Sequence, residues 1–249
     1  MSAICDAQKV YFAPDGLLYQ LAIEYLMPDS TKICHRLSST RILTKKRTAP
    51  KIESVLLCGG IEYDASFQPK EMDNDVAAYR FLAPQTTTIQ NLPGTRKEVD
   101  SIYAIRNNNH DVLVVGNAAT DETILWLLKQ HYDVIHLSTH GFYGGRIGIY
   151  NDIKPLLGDE SMSQSGLLFA GSANTLTDKN FDENLFDGVL SATELSRQDL
   201  SKTELIVLSA CQTGLGHLTD DGVYGIQRGL KQAGASEAKI GRASCRERV

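Results

Sequence analysis

The chain has 249 residues, 42% of them hydrophobic, and a formal net charge of −5. That length holds one large domain or two small ones and is ample for a sizeable core. The mild acidity offers no clustered Lys and Arg for nucleic acid, no apolar stretch approaches the ~18 residues of a membrane helix, and MSAICDAQKVYF lacks the basic-then-apolar pattern of a signal peptide.

These absences predict a cytoplasmic protein with no membrane and no nucleic-acid partner. The run Lys45-Lys46-Arg47 reads as a solvated loop. The five cysteines, Cys5, Cys34, Cys58, Cys211 and Cys245, are odd in number and irregularly spaced, with no C-x-x-C pair. Neither a zinc ribbon nor a thioredoxin-type motif follows, and a reducing compartment fits better than a disulfide framework.

In chain order, KVYFAPDGLLYQLAI predicts a hairpin turning at Pro14-Asp15-Gly16, where Pro presets φ and Gly permits positive φ. SVLLCGG (54–60) predicts a buried strand. Residues 61–92 are polar, contain several prolines and show no clear period, so a long loop with a partial helix is expected. In LPGTRKEVDSIYAIR, Thr95 and Glu98 match the S/T-x-x-E capping box; Val99, Ile102 and Ile105 repeat along one apolar face.

DVLVVGN (111–117) predicts a strand, TDETILWLLKQ a helix with Ile124, Leu127 and Leu128 inward, and YDVIHLSTHG (132–141) a further strand. This alternation implies a parallel sheet with covered faces. SGLLFAG and DGVLSATEL predict a second hairpin-like excursion turning at Asp187-Gly188, with a capping box on Ser191 and Glu194. TELIVLSAC (203–211) is the next core strand. GVYGIQRGLKQAG (222–234) predicts a helix with Val223, Ile226, Leu230 and Ala233 on one side and Gly234 as its stop. The basic, aperiodic ending KIGRASCRERV resembles read-through into a sequencing adapter when back-translated. The native domain is therefore expected to stop near Ala238, with 239–249 a non-native tail and Cys245 without function.

In open parallel sheets, ligands bind beyond the carboxyl ends of the strands. His140 follows VIHLST and Cys211 follows LIVLSA, at two such ends, and small residues around both would let a peptide backbone approach. A free thiol has a pKa of about 8.5, which a neighbouring imidazole can lower to make thiolate available. The thiolate attacks a carbonyl and the imidazolium protonates the leaving amine; backbone N–H groups at Gly141 and Cys211 would hold the oxyanion. The competing reading of Cys211 is a small buried hydrophobe at a strand end.

Several segments, in this order, resemble the CHAT family of caspase-like peptidases, relatives of caspases, separase and gingipains: PDGLL (14–18), LPGTRKEVDSI (92–102), IHLSTHGF (135–142), SGLLFAG (165–171), DGVLSATEL (187–195), LIVLSACQTGLG (205–216) and DGVYGIQRGLKQAGA (221–235). The resemblance implies an α/β, caspase-like three-layer sandwich, with a mostly parallel sheet between helices and β-hairpin excursions. It places the catalytic histidine on His140, the nucleophile on Cys211 and the oxyanion donors on the N–H groups of Gly141 and Cys211. It implies a cysteine endopeptidase acting on a protein partner with no cofactor. Family members also often carry TPR repeats ahead of this domain and a further strand and helices after AGA. These flanking parts are expected to be missing here, with Met1 an internal start. The alternative is a non-catalytic interaction module or an inactive fragment.

Other chemistries fit less well. His136 and His140 lie four apart but on a strand, without the Glu of H-E-x-x-H, so a structural role beneath the site is expected of His136 rather than metal binding. A cysteine phosphatase needs Arg six positions past its nucleophile, and His217 stands there. GLGHLTDDG does not satisfy G-x-G-x-x-G. Asp220 and Asp221, after the nucleophile loop, could select a basic substrate residue; a solvated loop or helix N-terminus explains them equally well.

Overall fold

The computed structural model describes residues 7–14, 18, 33–37, 40–44, 50–65, 89–143, 146–147, 162, 165–173, 187–210, 217–219 and 222–241. The chain divides into two compact units, one of residues 1–51 with 217–223, the other of 52–216 with 224–249.

In the first unit, β1 (Lys9–Phe12) pairs in parallel with β2 (Ile33–Arg36). Tyr11 stacks on its register partner His35, and the Arg36 guanidinium lies over the Phe12 ring. The turn expected at Pro14-Asp15-Gly16 and the strand after it fall on residues 15–17 and 19–32, outside those described. A short 3-10 helix spans Thr40–Thr44.

The second unit is built on β3 (Val55–Ile61), α1 (Pro93–Arg106), β4 (Val112–Gly116), α2 (Asp121–Leu128) and β5 (Val134–Ser138). Then come β6 (Gly141–Tyr143), β7 (Arg146–Ile147), β8 (Ser165–Leu168), β9 (Val189–Ser191), α3 (Ala192–Ser196) and β10 (Leu205–Ser209). The second unit closes with α4 (Ile226–Gln232) and β13 (Ala238–Gly241), whereas β11 (His217–Thr219) and β12 (Gly222–Tyr224), which pair with each other, fall in the first unit up to Val223.

Five strands form one parallel sheet in the order β13-β10-β5-β3-β4. Its middle strands are the continuous apolar runs VLLCGGI, VIHLS and LIVLS, as expected of strands covered on both faces. The chain moves from β3 outward to β4, then returns to lay β5 on the other side of β3. Crossovers of one hand running in opposite directions place their helices on opposite faces. Accordingly α1 brings Val99 onto Val55 and Leu57, while α2 brings Ile124, Leu127 and Leu128 into the larger core with Leu56, Cys58, Ile135 and Leu137. α3 and α4 add Ala192, Leu195, Ile226 and Leu230 to that same core. The result is an α/β sandwich with a parallel central sheet between helices.

A second sheet, β7-β6-β8-β9, is antiparallel. It realises the excursion expected around Asp187-Gly188: Gly188 adopts a φ of +65° just before β9, and a Cβ there would lie 2.4 Å from the Ser172 nitrogen. The Ser191–Glu194 capping box forms in full. β13 begins at Ala238, the last residue of the expected domain, and takes in Lys239–Gly241 of the segment set aside as a tail.

Three local expectations are corrected. The capping box on Thr95 and Glu98 does not form, because Pro93 starts α1 earlier, with Leu92 at the N-cap; Pro has the helical φ and no N–H to satisfy. Thr95 instead donates to the Leu92 carbonyl and accepts the Gly60 N–H at 2.9 Å. Ile105 is 85% exposed, since a three-residue step falls short of a 3.6-residue turn and the row of Val99, Ile102 and Ile105 winds off the core face. The helix expected over 222–234 starts only at Ile226, after β12 and an extended Gly225; Gly234, with φ +91°, ends it as expected. No helix among the described residues is long and apolar enough to cross a membrane.

Candidate active site

The parallel sheet reverses its strand order between β3 and β5, and the crevice beyond such a reversal is where open α/β sheets bind ligands. Tyr63 follows β3 there and His140 follows β5. The strand expected to run through residue 141 breaks earlier: β5 ends at Ser138, and β6, in the antiparallel sheet, begins at Gly141. His140 therefore occupies the corner where the chain passes from one sheet to the other.

This corner is held by hydrogen bonds on every side. The Thr139 N–H donates to the Ser209 carbonyl at 3.2 Å, prolonging the β5–β10 ladder by one bond, and the His140 carbonyl accepts from the Leu168 N–H at 2.9 Å. The His140 N–H donates to the Tyr63 hydroxyl at 3.2 Å, Tyr63 Oη lies 3.0 Å from Thr139 Oγ1, and Thr139 Oγ1 donates to the Leu168 carbonyl. Because the threonine proton is committed to that carbonyl, the tyrosine donates to the threonine and the chain of donors closes consistently. The Tyr63 ring lies tilted at 52° against the imidazole, with centroids 5.0 Å apart.

Among the described residues the His140 side chain is oriented by the Gln90 carbonyl oxygen, which lies 2.8 Å from Nε2. A carbonyl only accepts, so Nε2 carries the proton and Nδ1 is the nitrogen with a free lone pair. Burial holds the imidazole below its ordinary pKa, against the opposing pull of the Gln90 carbonyl. A neutral imidazole with a fixed tautomer is what a general base requires.

Beneath the corner, Ser138 and Ser209 face each other as the last register pair of β5 and β10. Glu98 Oε2, from α1, accepts from Ser138 Oγ at 2.7 Å and from Ser209 Oγ at 3.2 Å. Its Oε1 lies 3.2 Å from His136 Nε2, close but off the line of a hydrogen bond. His136 is buried, and desolvation lowers its pKa against the pull of Glu98. His136 was expected to be hydrogen-bonded beneath the site; it lies beside Glu98, but its Nε2 makes no hydrogen bond among the described residues. Among the described residues no group of three or more His, Cys, Asp or Glu could hold a metal.

Cys211, Asp220 and Asp221 lie outside the described residues; β10 ends two residues before Cys211. Gly141 is buried as the first residue of β6. Of the other cysteines, Cys58 is buried in the larger core, and desolvation pushes its thiol up to about 12, so it supplies no thiolate at neutral pH. Tyr63, Gln90 and Glu98 were not expected as site residues. Glu98 belongs to one of the segments quoted for the resemblance, but the pattern around it also fits a helix cap.

A parallel α/β sandwich with a buried, oriented histidine where its strand order reverses is the framework of a caspase-like, peptidase-related module. A family model for the CHAT domain matches residues 4–244, and the chain belongs to the CHAT domain family. No curated relative matches the chain.

Proposed function

We propose that this protein is a cysteine endopeptidase of the caspase-like class, with Cys211 as nucleophile and His140 as general base. The observation that carries the reading is the tautomer of His140. With Nε2 donating to the Gln90 carbonyl at 2.8 Å, Nδ1 is left to take a proton, on a residue one ladder step beyond the strand that pairs with β10. The sequence places Cys211 equally close beyond β10.

In this mechanism Nδ1 takes the Cys211 proton, and the thiolate adds to the carbonyl carbon of a peptide bond. The oxyanion is held by the N–H groups of Gly141 and Cys211. The imidazolium then returns the proton to the leaving amine, and a thioester remains on Cys211. Water, deprotonated by the same imidazole, hydrolyses the thioester and restores the thiol. The reaction needs no cofactor. The partner is a protein or peptide, for which Asp220 and Asp221 are candidate contacts to a basic side chain.

The test is cleavage of a peptide library by the full-length protein and by its Cys211→Ala and His140→Ala variants. Both variants should fold and lose turnover; turnover equal to wild type in either one would overturn the mechanism.

A further inference from the structure

The two strands that lead to the dyad are tied together at their ends by a carboxylate from outside the sheet. Ser138 and Ser209 form the last rung of the β5–β10 ladder, and Glu98 Oε2 accepts from both hydroxyls, at 2.7 and 3.2 Å. Hydrogen bonds to a carboxylate are shorter and about twice as strong as neutral ones. A single oxygen with a hydroxyl from each strand therefore fixes their separation on this face. The helix that supplies it is itself seated on β3, through Thr95 to the Gly60 N–H at 2.9 Å and through Val99 against Leu57. Glu98 thus links the framework of three strands where they reach the site.

The leverage follows from chain length. His140 is two residues beyond Ser138 and Cys211 two beyond Ser209, a reach of at most about 7 Å each. Whatever sets the last rung sets the approach of the two side chains. A displacement of about 1 Å between reacting groups can cost on the order of 100-fold in rate.

We propose that Glu98 is a positioning residue of the peptidase site, clamping the ends of β5 and β10 through Ser138 and Ser209 and so aligning His140 with Cys211. The proposal rests on the dyad reading given above. His136, on the same face as Ser138, backs the carboxylate from the other side, 3.2 Å from Oε1.

The test uses the full-length protein with Glu98→Ala, Glu98→Gln and Ser209→Ala, the last removing one arm of the clamp without touching α1. Two quantities are measured: kcat and KM on a cleaved peptide, and the pH profile of Cys211 alkylation by iodoacetamide, with the labelled cysteine located by mass spectrometry. Glu98→Ala is expected to lose roughly 10- to 100-fold in kcat with KM within about threefold. Its alkylation at pH 6 should fall about tenfold as the thiol reverts toward its free pKa of about 8.5. Glu98→Gln keeps an acceptor oxygen and should recover most of kcat; Ser209→Ala should fall between.

A merely structural role would lower the melting temperature and leave kcat per folded molecule and the alkylation profile at wild type, and that result overturns the proposal. Equal impairment in folded Glu98→Gln and Glu98→Ala also overturns it, because the glutamine keeps an oxygen able to accept from both serine hydroxyls. Failure of the dyad reading looks different. His140→Ala would then keep the wild-type alkylation profile, whereas failure of the clamp alone shows the His140→Ala shift without the Glu98→Ala shift.

Discussion

Replacing Tyr63 with Phe removes one oxygen from the circuit that holds the His140 corner and leaves the ring in place. Tyr63 is fully buried, and its ring contact with the imidazole, centroids 5.0 Å apart, does not depend on the hydroxyl. Two hydrogen bonds among the described residues are lost. The His140 N–H, 3.2 Å from Tyr63 Oη, becomes a buried donor without its acceptor, at a cost of about 1–3 kcal/mol. The bond to Thr139 Oγ1, 3.0 Å away, contributes about 1 kcal/mol. Tyr63→Phe should therefore destabilise the protein by roughly 2–4 kcal/mol, a fall in Tm of about 4–16 °C for a chain of this size. Urea unfolding of wild type, Tyr63→Phe, Thr139→Val and the double variant measures it, and the double-mutant cycle should return a coupling of at least about 0.5 kcal/mol. A single variant within 0.5 kcal/mol of wild type together with zero coupling would refute the circuit described here.

Three further outcomes are expected. Gly229→Ala should destabilise by about 1–3 kcal/mol in thermal melts despite alanine's higher helix propensity, because the new Cβ would lie 2.6 Å from the Ala192 carbonyl oxygen where α4 crosses α3; a higher Tm would show that the two helices separate without cost. Arg106→Met should cost about 3–5 kcal/mol in urea unfolding, since it strips the partner 2.5 Å from a carboxylate on Asp111 whose side chain is fully buried; adding Asp111→Asn should recover part of the loss, and no recovery would refute the buried-charge explanation. Asp121 has its carboxyl raised to about 7 by burial first and by the charge of Glu194 second. The folded state therefore binds the extra proton between about pH 4 and 7, and stability falls as pH rises through that window, by up to about 1.4 kcal/mol per pH unit. Asp187, also raised well above the ordinary carboxylate range by burial and by the neighbouring Asp121, shares this titration; Asp121→Asn should remove one of the pair's two protonations and flatten the fall in stability between about pH 5 and pH 8 in paired unfolding curves, and parallel curves would refute the burial of the pair.

The parts of the molecule legible from residue order are those whose cause is local. The middle strands were legible because β3, β5 and β10 are unbroken apolar runs, which a sheet covered on both faces demands. The Ser191–Glu194 cap was legible because its two bonds join residues three apart. The identical pattern at Thr95 and Glu98 misled for a physical reason. Pro93, two residues upstream of Thr95, nucleates the helix first, and both side chains are then free to serve β3, β5 and β10. A capping box is a competition for N–H groups near a helix start, and residue types alone do not tell which start wins.

The histidine itself was legible, at a strand end before glycine, but nothing that orients it was. Its tautomer is set by a carbonyl 50 residues away, its backbone by a hydroxyl 77 residues away, and the rung beneath it by a carboxylate 40 residues from Ser138 and 111 from Ser209. Each of these partners is polar; Tyr63 and Gln90 stand just outside regular elements and Glu98 lies within a helix, positions at which a polar residue is unremarkable in sequence. Their convergence follows from the sheet order. Placing β3 between β4 and β5 brings the end of β3, with Tyr63, beside the end of β5, and it lays α1 over both, so that Gln90 just before the helix and Glu98 within it reach the same corner. The reversal of strand order, beyond which open α/β sheets bind ligands, thus also delivers the groups that orient the histidine at its edge.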